Sequence, residues 1–328
     1  MRQRVLLADK ISPAGIQIME QTGEIDVVLA PNPLEATIAG MVADFDGLIF
    51  RMTRIGPEIL ERGKRLKAVG RHGVGLDTID VGTATREGIC ICYTPAANGR
   101  SVAEYVMLLL LALSRKLVPA DYSERVEREF GKRNQFMGHD VADKVLGIVG
   151  MGRIGRQIAK MAGQGFDMKV LGYDPYVPAA DLAAICVRKV DSIEELLREA
   201  DFVSLNCPMT EDLKGFMNFT RISLMKPGAY LINCARGPIV VEEDLARALR
   251  EGRIAGAALD VFAEEPTPRD YPILDAPNLI ATAHIATMTR ESMDRMAIDA
   301  AKGLVSVLLK NEKPEFLANP EVWSHRRR

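Results

Sequence analysis

Lys144-Val145-Leu146-Gly147-Ile148-Val149-Gly150-Met151-Gly152-Arg153-Ile154-Gly155 reads as an apolar strand, a glycine turn and the start of a helix. Gly150 permits the tight turn. Gly152 lacks a side chain, so a pyrophosphate can come up to the backbone, and Gly155 lets the helix lie close to the strand. The helix continues with Ile154, Ile158, Ala159 and Ala162 at helical spacing. Its amino terminus offers N–H groups and a positive dipole end to phosphates, and Arg153 adds a charge beside them. A glycine turn without a ligand, or one for S-adenosylmethionine, would share part of this pattern. The acid that follows favours a dinucleotide. Asp174 stands 19 residues beyond Gly155, at the end of the strand Lys169–Tyr173. A carboxylate there accepts bonds from the adenosine ribose hydroxyls and repels a 2′-phosphate. Pro175 and Tyr176 follow it, and no Arg does. The cofactor expected from these residues is NAD, not NADP.

Outward from this turn, short apolar runs alternate with helical patterns. On the carboxyl side, strands are expected at Phe202–Cys207, Tyr230–Cys234, Gly256–Val261 and Leu279–Ala283. On the amino side they are expected at Arg4–Asp9, Val27–Ala30, Gly47–Phe50, Lys67–Arg71 and Ile89–Tyr93. Such alternation builds parallel sheets covered by helices on both faces. Two sheets follow one another, with a boundary near Ala96–Gly99, and a helix over Arg290–Leu309 follows the second. The pattern does not say where that last helix docks.

Several function classes are disfavoured. With 328 residues, two domains are the natural expectation. Hydrophobic residues make up 48% of the chain, enough for two cores, and the formal net charge is -2, which gives no field for nucleic acid or an acidic membrane. The apolar run Val102–Leu113 is too short to span a bilayer. The amino terminus enters a strand directly, and the five cysteines show no zinc-like spacing. The expectation is a cytoplasmic chain with free thiols and no metal. The terminal Arg326-Arg327-Arg328 run reads as a frayed, solvated tail.

Parallel sheets bind ligands at the carboxyl ends of their strands. Three ionisable residues hold that position in the second sheet: Arg236, Glu265 and His284. An Arg can grip an α-carboxylate bidentately. A His exchanges a proton near neutral pH, and a Glu bonded to it fixes its tautomer. Strand-end charges are also commonly just solvated, and sequence pattern alone does not pair these three. Of the other histidines, His139 and His325 read as surface residues. His72, in Gly70-Arg71-His72-Gly73-Val74-Gly75, reads equally as pocket lining or as a turn residue.

The chain resembles the D-isomer-specific 2-hydroxyacid dehydrogenases, in particular their phosphoglycerate dehydrogenase and hydroxypyruvate reductase branch. The resemblance runs through Arg71-His72-Gly73-Val74-Gly75-Leu76-Asp77-Thr78-Ile79-Asp80, Thr94-Pro95 through Ser101-Val102-Ala103-Glu104-Tyr105, and the glycine turn. It continues through Asn206-Cys207-Pro208-Met209-Thr210, Asn233-Cys234-Ala235-Arg236-Gly237, Ala258-Leu259-Asp260-Val261-Phe262 and His284-Ile285-Ala286.

The resemblance implies two doubly wound parallel-sheet α/β domains. A discontinuous flavodoxin-like substrate domain would comprise residues 1–98 and 288–328, and a Rossmann NAD domain residues 99–287. It implies hydride transfer between NAD and a small D-2-hydroxy or 2-keto acid in a cleft that closes against water. His284 would be the acid–base, Glu265 its partner and Arg236 the carboxylate ligand. Asp260 would hold the nicotinamide carboxamide, and Ile154, Cys207, Pro208, Cys234, Ala235 and Ala286 would line the cofactor. Arg51, His72, Gly73, Val74 and Gly75 would meet the substrate. The helix Ser101–Lys116 and the arm after it would form a homodimer. His72 departs from the small residue common before the Gly-x-Gly. Arg290 either reaches a second acidic group on the substrate or faces solvent. Arg51, Arg54, Arg290 and His72 together suggest a substrate with a second anionic group. A relative of another class, an NAD(H)-sensing corepressor without turnover, is the alternative; all three catalytic positions are filled here.

Overall fold

The computed structural model describes residues 2–328. Its twelve strands are β1 (Gln3–Leu7), β2 (Ile25–Leu29), β3 (Gly47–Phe50), β4 (Ala68–Arg71), β5 (Cys90–Cys92), β6 (Val145–Val149), β7 (Lys169–Tyr173), β8 (Arg188–Lys189), β9 (Phe202–Leu205), β10 (Tyr230–Asn233), β11 (Gly256–Leu259) and β12 (Leu279–Ala281). They form two parallel sheets. The chain divides into two units, Met1–Asn98 with Met288–Arg328, and Gly99–Thr287.

In the first unit the strand order is β2-β1-β3-β4-β5, the flavodoxin-like winding. The helix Arg290–Val305 returns to this sheet. Its Ala297, Ala301 and Leu304 share a core with Val5, Leu7, Ile49, Ala68, Cys90 and Cys92. The small side chains at 297 and 301 let the helix sit close to the strands, which is why it docks here. Thr289 caps it by accepting from the Ser292 N–H at 3.1 Å. Arg326 and Arg327 are not a frayed tail. Arg326 stacks its guanidinium 3.5 Å from the Trp323 ring and bonds to Asn311. Arg327 pairs with Glu87 and donates to the Gly63 and Leu66 carbonyls. Arg327 and Glu87 are both largely withdrawn from water, as a solvated tail would not be.

The second unit has the order β12-β11-β10-β9-β6-β7-β8. Neighbours diverge in chain order at β6 and β9, the switch point of a Rossmann sheet. Period-two alternation divides its core into two layers. Leu231, Val203 and Leu205 face the helices Ile193–Glu199 and Glu242–Arg250. Tyr230, Ile232 and Phe202 face the helices Gly99–Ser114 and Arg153–Phe166. Burying such a Leu, Ile or Phe stabilises by roughly 1.5–3 kcal/mol. Two details depart from expectation. The two-residue edge strand β8 has no signal in the alternation. Several strands also stop early: β9 ends at Leu205 and β11 at Leu259. The next residue makes one more ladder-like bond (Asn206 N–H to Val149 O at 2.7 Å, Asp260 N–H to Asn233 O at 3.0 Å) before the chain turns into a loop. Among the described residues, no helix is long and apolar enough to cross a membrane, and no cluster of His, Cys, Asp or Glu could hold a metal ion.

Candidate active site

The glycine turn lies at the switch point. Gly150 has φ +91°, a backbone that side chains strain to adopt. A Cβ there would stand 2.8 Å from the backbone of Asn206 and Cys207. A Cβ on Gly155 would stand 2.2 Å from the Gly150 carbonyl oxygen, so the helix could not lie so close to the turn. A Cβ on Gly152 would meet nothing within 4 Å. Gly152 is also the helix N-cap and supplies no capping side chain. An open approach to an uncapped helix amino terminus suits a pyrophosphate, whose oxygens would take the N–H groups that lack intrahelical partners. Asp174 is held at the edge of this turn. Its carboxylate accepts from the Met151 N–H and the Tyr176 N–H, each at 2.9 Å. The two oxygens keep further acceptor capacity for ribose hydroxyls. Cys207 sits beside it. Burial, then the Asp174 charge, pushes its thiol up to about 11, so it is a neutral lining group and not a nucleophile.

The three strand-end residues of this unit are brought together by buried polar neighbours. Asn233, fully buried, donates to the Arg236 carbonyl at 2.9 Å and accepts from the Ala235 N–H at 3.0 Å, which fixes the turn that carries Arg236. Asp260 is also fully buried. Its carboxylate accepts from Thr282 Oγ1 (2.7 Å), the Ile285 N–H (2.9 Å) and the Ala286 N–H (2.8 Å). Its carbonyl accepts from the His284 N–H at 2.8 Å. These four bonds hold His284 at φ +52°, a left-handed conformation uncommon outside glycine and stable only where neighbours impose it. Burial raises the Asp260 carboxyl above its usual range, against the pull of its donors. Few lone pairs on that carboxylate are left for a cofactor amide.

His284 Nδ1 and Glu265 Oε2 are 2.8 Å apart. The other carboxylate oxygen, Oε1, accepts from the Phe262 N–H at 2.9 Å. Burial pushes the Glu265 carboxyl up, but the bonds from His284 and Phe262 and the charge of Arg236 outweigh it, and the net shift is downward. Glu265 is therefore a carboxylate at neutral pH. An anion at Nδ1 assigns the N–H to that nitrogen and leaves Nε2 for proton exchange. The imidazole is 39% exposed, enough for a substrate to reach it.

The other expected residues gather in the first unit, at the carboxyl ends of β3 and β4. Arg51 is placed by its N–H bond to Asp9 Oδ2 at 2.7 Å, and its guanidinium lies against the Met288 sulfur. Gly73 is tied to Thr94, donating to its Oγ1 at 3.1 Å and accepting from its N–H at 3.1 Å. Arg71 donates to the Gly75 carbonyl at 2.8 Å. Val74 and Gly75 follow as the outward part of this loop. His72 is 2% exposed, and its Nε2 meets the Met293 carbonyl at 3.2 Å. Its ring lies under the loop and not on the loop's surface. Burial, then the charges of Arg51 and Arg71, lowers its pKa to about 4, so it is neutral. Sequence reasoning carried Asn233 and Thr94 only as members of motifs, without a role, and gave Thr282 none; each is a polar residue at or just beyond a buried strand end.

Residues 107–286 match the family model of the D-isomer specific 2-hydroxyacid dehydrogenase, NAD binding domain. The chain is 38% identical over 317 residues to D-3-phosphoglycerate dehydrogenase of Methanocaldococcus jannaschii, a match that covers 96% of this chain and 59% of that one. It spans between 52% and 59% of the length of such curated relatives. A solved structure from Thermus thermophilus is 34% identical, with TM-score 0.85 over 96% of this chain and 100% of that one. A glyoxylate reductase from Paecilomyes thermophila is 27% identical, with TM-score 0.84 over 98% and 99%. NAD is the cofactor of the matched domain, in accord with the turn and Asp174. With its fold, its glycine turn and its Arg–Glu–His strand ends, the chain belongs to the D-isomer specific 2-hydroxyacid dehydrogenase family.

Proposed function

We propose that the chain reduces a small 2-keto acid to the D-2-hydroxy acid, or runs the reverse oxidation, with NAD. The observation that carries this reading is the 2.8 Å His284–Glu265 pair on the same sheet edge as Arg236 and the glycine turn. The Gly150–Gly155 turn and Asp174 would hold NADH, which would supply the hydride taken up at the substrate C2. His284 gives a proton from Nε2 to the ketone oxygen in reduction and takes it back in oxidation. Glu265 stabilises the charged imidazole and holds its orientation. Arg236 grips the α-carboxylate and polarises the ketone. The substrate carries a second polar or anionic group. The relatives named D-3-phosphoglycerate dehydrogenase support a substrate of that kind.

The test is NADH oxidation, followed by absorbance, with hydroxypyruvate, glyoxylate, 2-ketoglutarate, oxaloacetate and sulfopyruvate. Turnover is expected with at least one keto acid that bears a second polar group, and NADPH should serve worse because of Asp174. Silence across the panel sinks the reading.

A homodimer is part of the proposal. Leu108, Leu117, Val118, Tyr122, Val126, Phe130 and Met137 are large apolar side chains left exposed on the helix Gly99–Ser114 and the arm after it. Covering them in a second copy removes that surface from water. Light scattering should then give twice the chain mass of 36.0 kDa; a monomer at micromolar concentration would refute it. Five free cysteines, two of them fully buried in β5, suit a reducing cytoplasm.

A further inference from the structure

The loop that carries Glu265 is braced from outside the site. It follows β11 and runs through Phe262, Ala263 and Glu264, and each of these three N–H groups has a side-chain acceptor. The Phe262 N–H goes to Glu265 itself. The Ala263 N–H goes to Glu242 Oε1 at 2.8 Å. The Glu264 N–H goes to the Tyr271 hydroxyl oxygen at 3.3 Å. Glu242 and Tyr271 are joined in turn, the hydroxyl donating to Glu242 Oε2. Glu242 is the first residue of the helix Glu242–Arg250, so the brace is anchored on a regular element. The Tyr271 ring meets Phe262 edge-on, with centroids 6.1 Å apart. Burial and the Glu242 charge push the Tyr271 hydroxyl up to about 12, so it stays a donor.

A second observation shows why the loop needs exact placement. A Cβ on Gly237 would fall 1.8 Å from the Phe262 carbonyl carbon and 2.4 Å from the Ala263 nitrogen. The turn after β10 and the loop after β11 therefore touch backbone to backbone. This contact puts Arg236 close enough to Glu265 for its charge to act on the carboxylate.

We propose that Glu242 and Tyr271 are positioning residues that hold the Glu265 loop so that its carboxylate meets His284. Neither touches the reacting atoms. The inference rests on the dehydrogenase reading for its effect on turnover. Three charged groups face the imidazole: Glu265 from the loop, Asp260 from the end of β11, and Arg236 from the turn after β10, through Glu265. Loosening the brace changes only the first, so the charge-assisted bond between His284 Nδ1 and Glu265 lengthens or breaks.

The experiment compares Glu242→Ala, Glu242→Gln and Tyr271→Phe with the wild type. The Nδ1–H proton of His284 is followed by NMR as a low-field signal, identified with His284→Asn. Glu242→Ala should move this signal upfield or broaden it by exchange with water, as the bond to Glu265 weakens. It should lower kcat about tenfold and leave the NADH dissociation constant within about twofold, because the glycine turn is untouched. Tyr271→Phe should move both in the same direction by less. Glu242→Gln keeps an acceptor for the Ala263 N–H and should restore most of the effect. An unmoved Nδ1–H signal in Glu242→Ala overturns the proposal, whatever the thermal stability does. A wild type that reduces no keto acid overturns the dehydrogenase reading instead, and the Nδ1–H signal still decides the brace.

Discussion

His284→Asn is expected to lower kcat for keto-acid reduction by about 10³-fold, within the range that a positioned general acid contributes. Asn is the informative replacement. It tolerates the left-handed conformation that His284 holds at φ +52°, so the loop fixed by Asp260 keeps its course. Its amide can still donate to Glu265, but it has no proton to give to an alkoxide at neutral pH. The cofactor turn sits at the end of β6 and does not use the imidazole, so NADH affinity should stay within about twofold. Stopped-flow absorbance for the hydride step and fluorescence titration for NADH separate the two quantities. A variant that keeps more than a tenth of the wild-type kcat removes His284 from the mechanism.

The second large effect is on stability and comes from His72. The group is buried, and its pKa falls from 6.5 to about 4 in the folded chain, chiefly through burial and then through Arg51 and Arg71. Between those pH values the unfolded chain binds a proton at this position that the folded chain refuses. Stability is therefore full above pH 6.5 and declines as the pH falls toward 4. At about 1.4 kcal/mol per pH unit, the decline amounts to roughly 3 kcal/mol. His72→Gln keeps a donor for the Met293 carbonyl and cannot titrate. It should remove that part of the decline, while carboxylates such as Glu265 and Asp201, held low in the fold, still contribute theirs at lower pH. Trp323, the only tryptophan, packs on the core of the same unit and reports its unfolding in urea. Equal slopes of stability against pH for the wild type and His72→Gln would show that the buried imidazole is not the cause.

Both expectations use features that sequence reading reaches only in part. The alternation of apolar runs with helical patterns is enough for two parallel sheets, because period-two and period-3.6 patterning is local. The Gly150–Gly155 spacing and the strand-end Asp174 are equally local, and the structure places them together at the switch point. The early end of β11 is different. Asp260 falls inside the strand expected over Gly256–Val261, and the resemblance gives it the nicotinamide carboxamide, yet its carboxylate is occupied with Thr282 and the backbone around His284, 22 to 26 residues away. His72 reads as pocket or turn with equal force, and only the course of the helix Arg290–Val305 puts its ring beneath the loop. The terminal arginines look solvated because nothing nearby in sequence contains Glu87 or the Gly63 carbonyl.

The sequence by itself determined the fold class, the nucleotide turn and the residue types available for acid–base chemistry, since each follows from short-range spacing or from side-chain identity. The tertiary structure decided which of those residues meet. It paired His284 with Glu265, set the Arg236 turn against the Glu265 loop through Gly237, and returned the last helix to the first sheet. Hydrogen bonds and burial between residues far apart in the chain depend on how strands are ordered and how closely their end loops pack, and no local pattern records that.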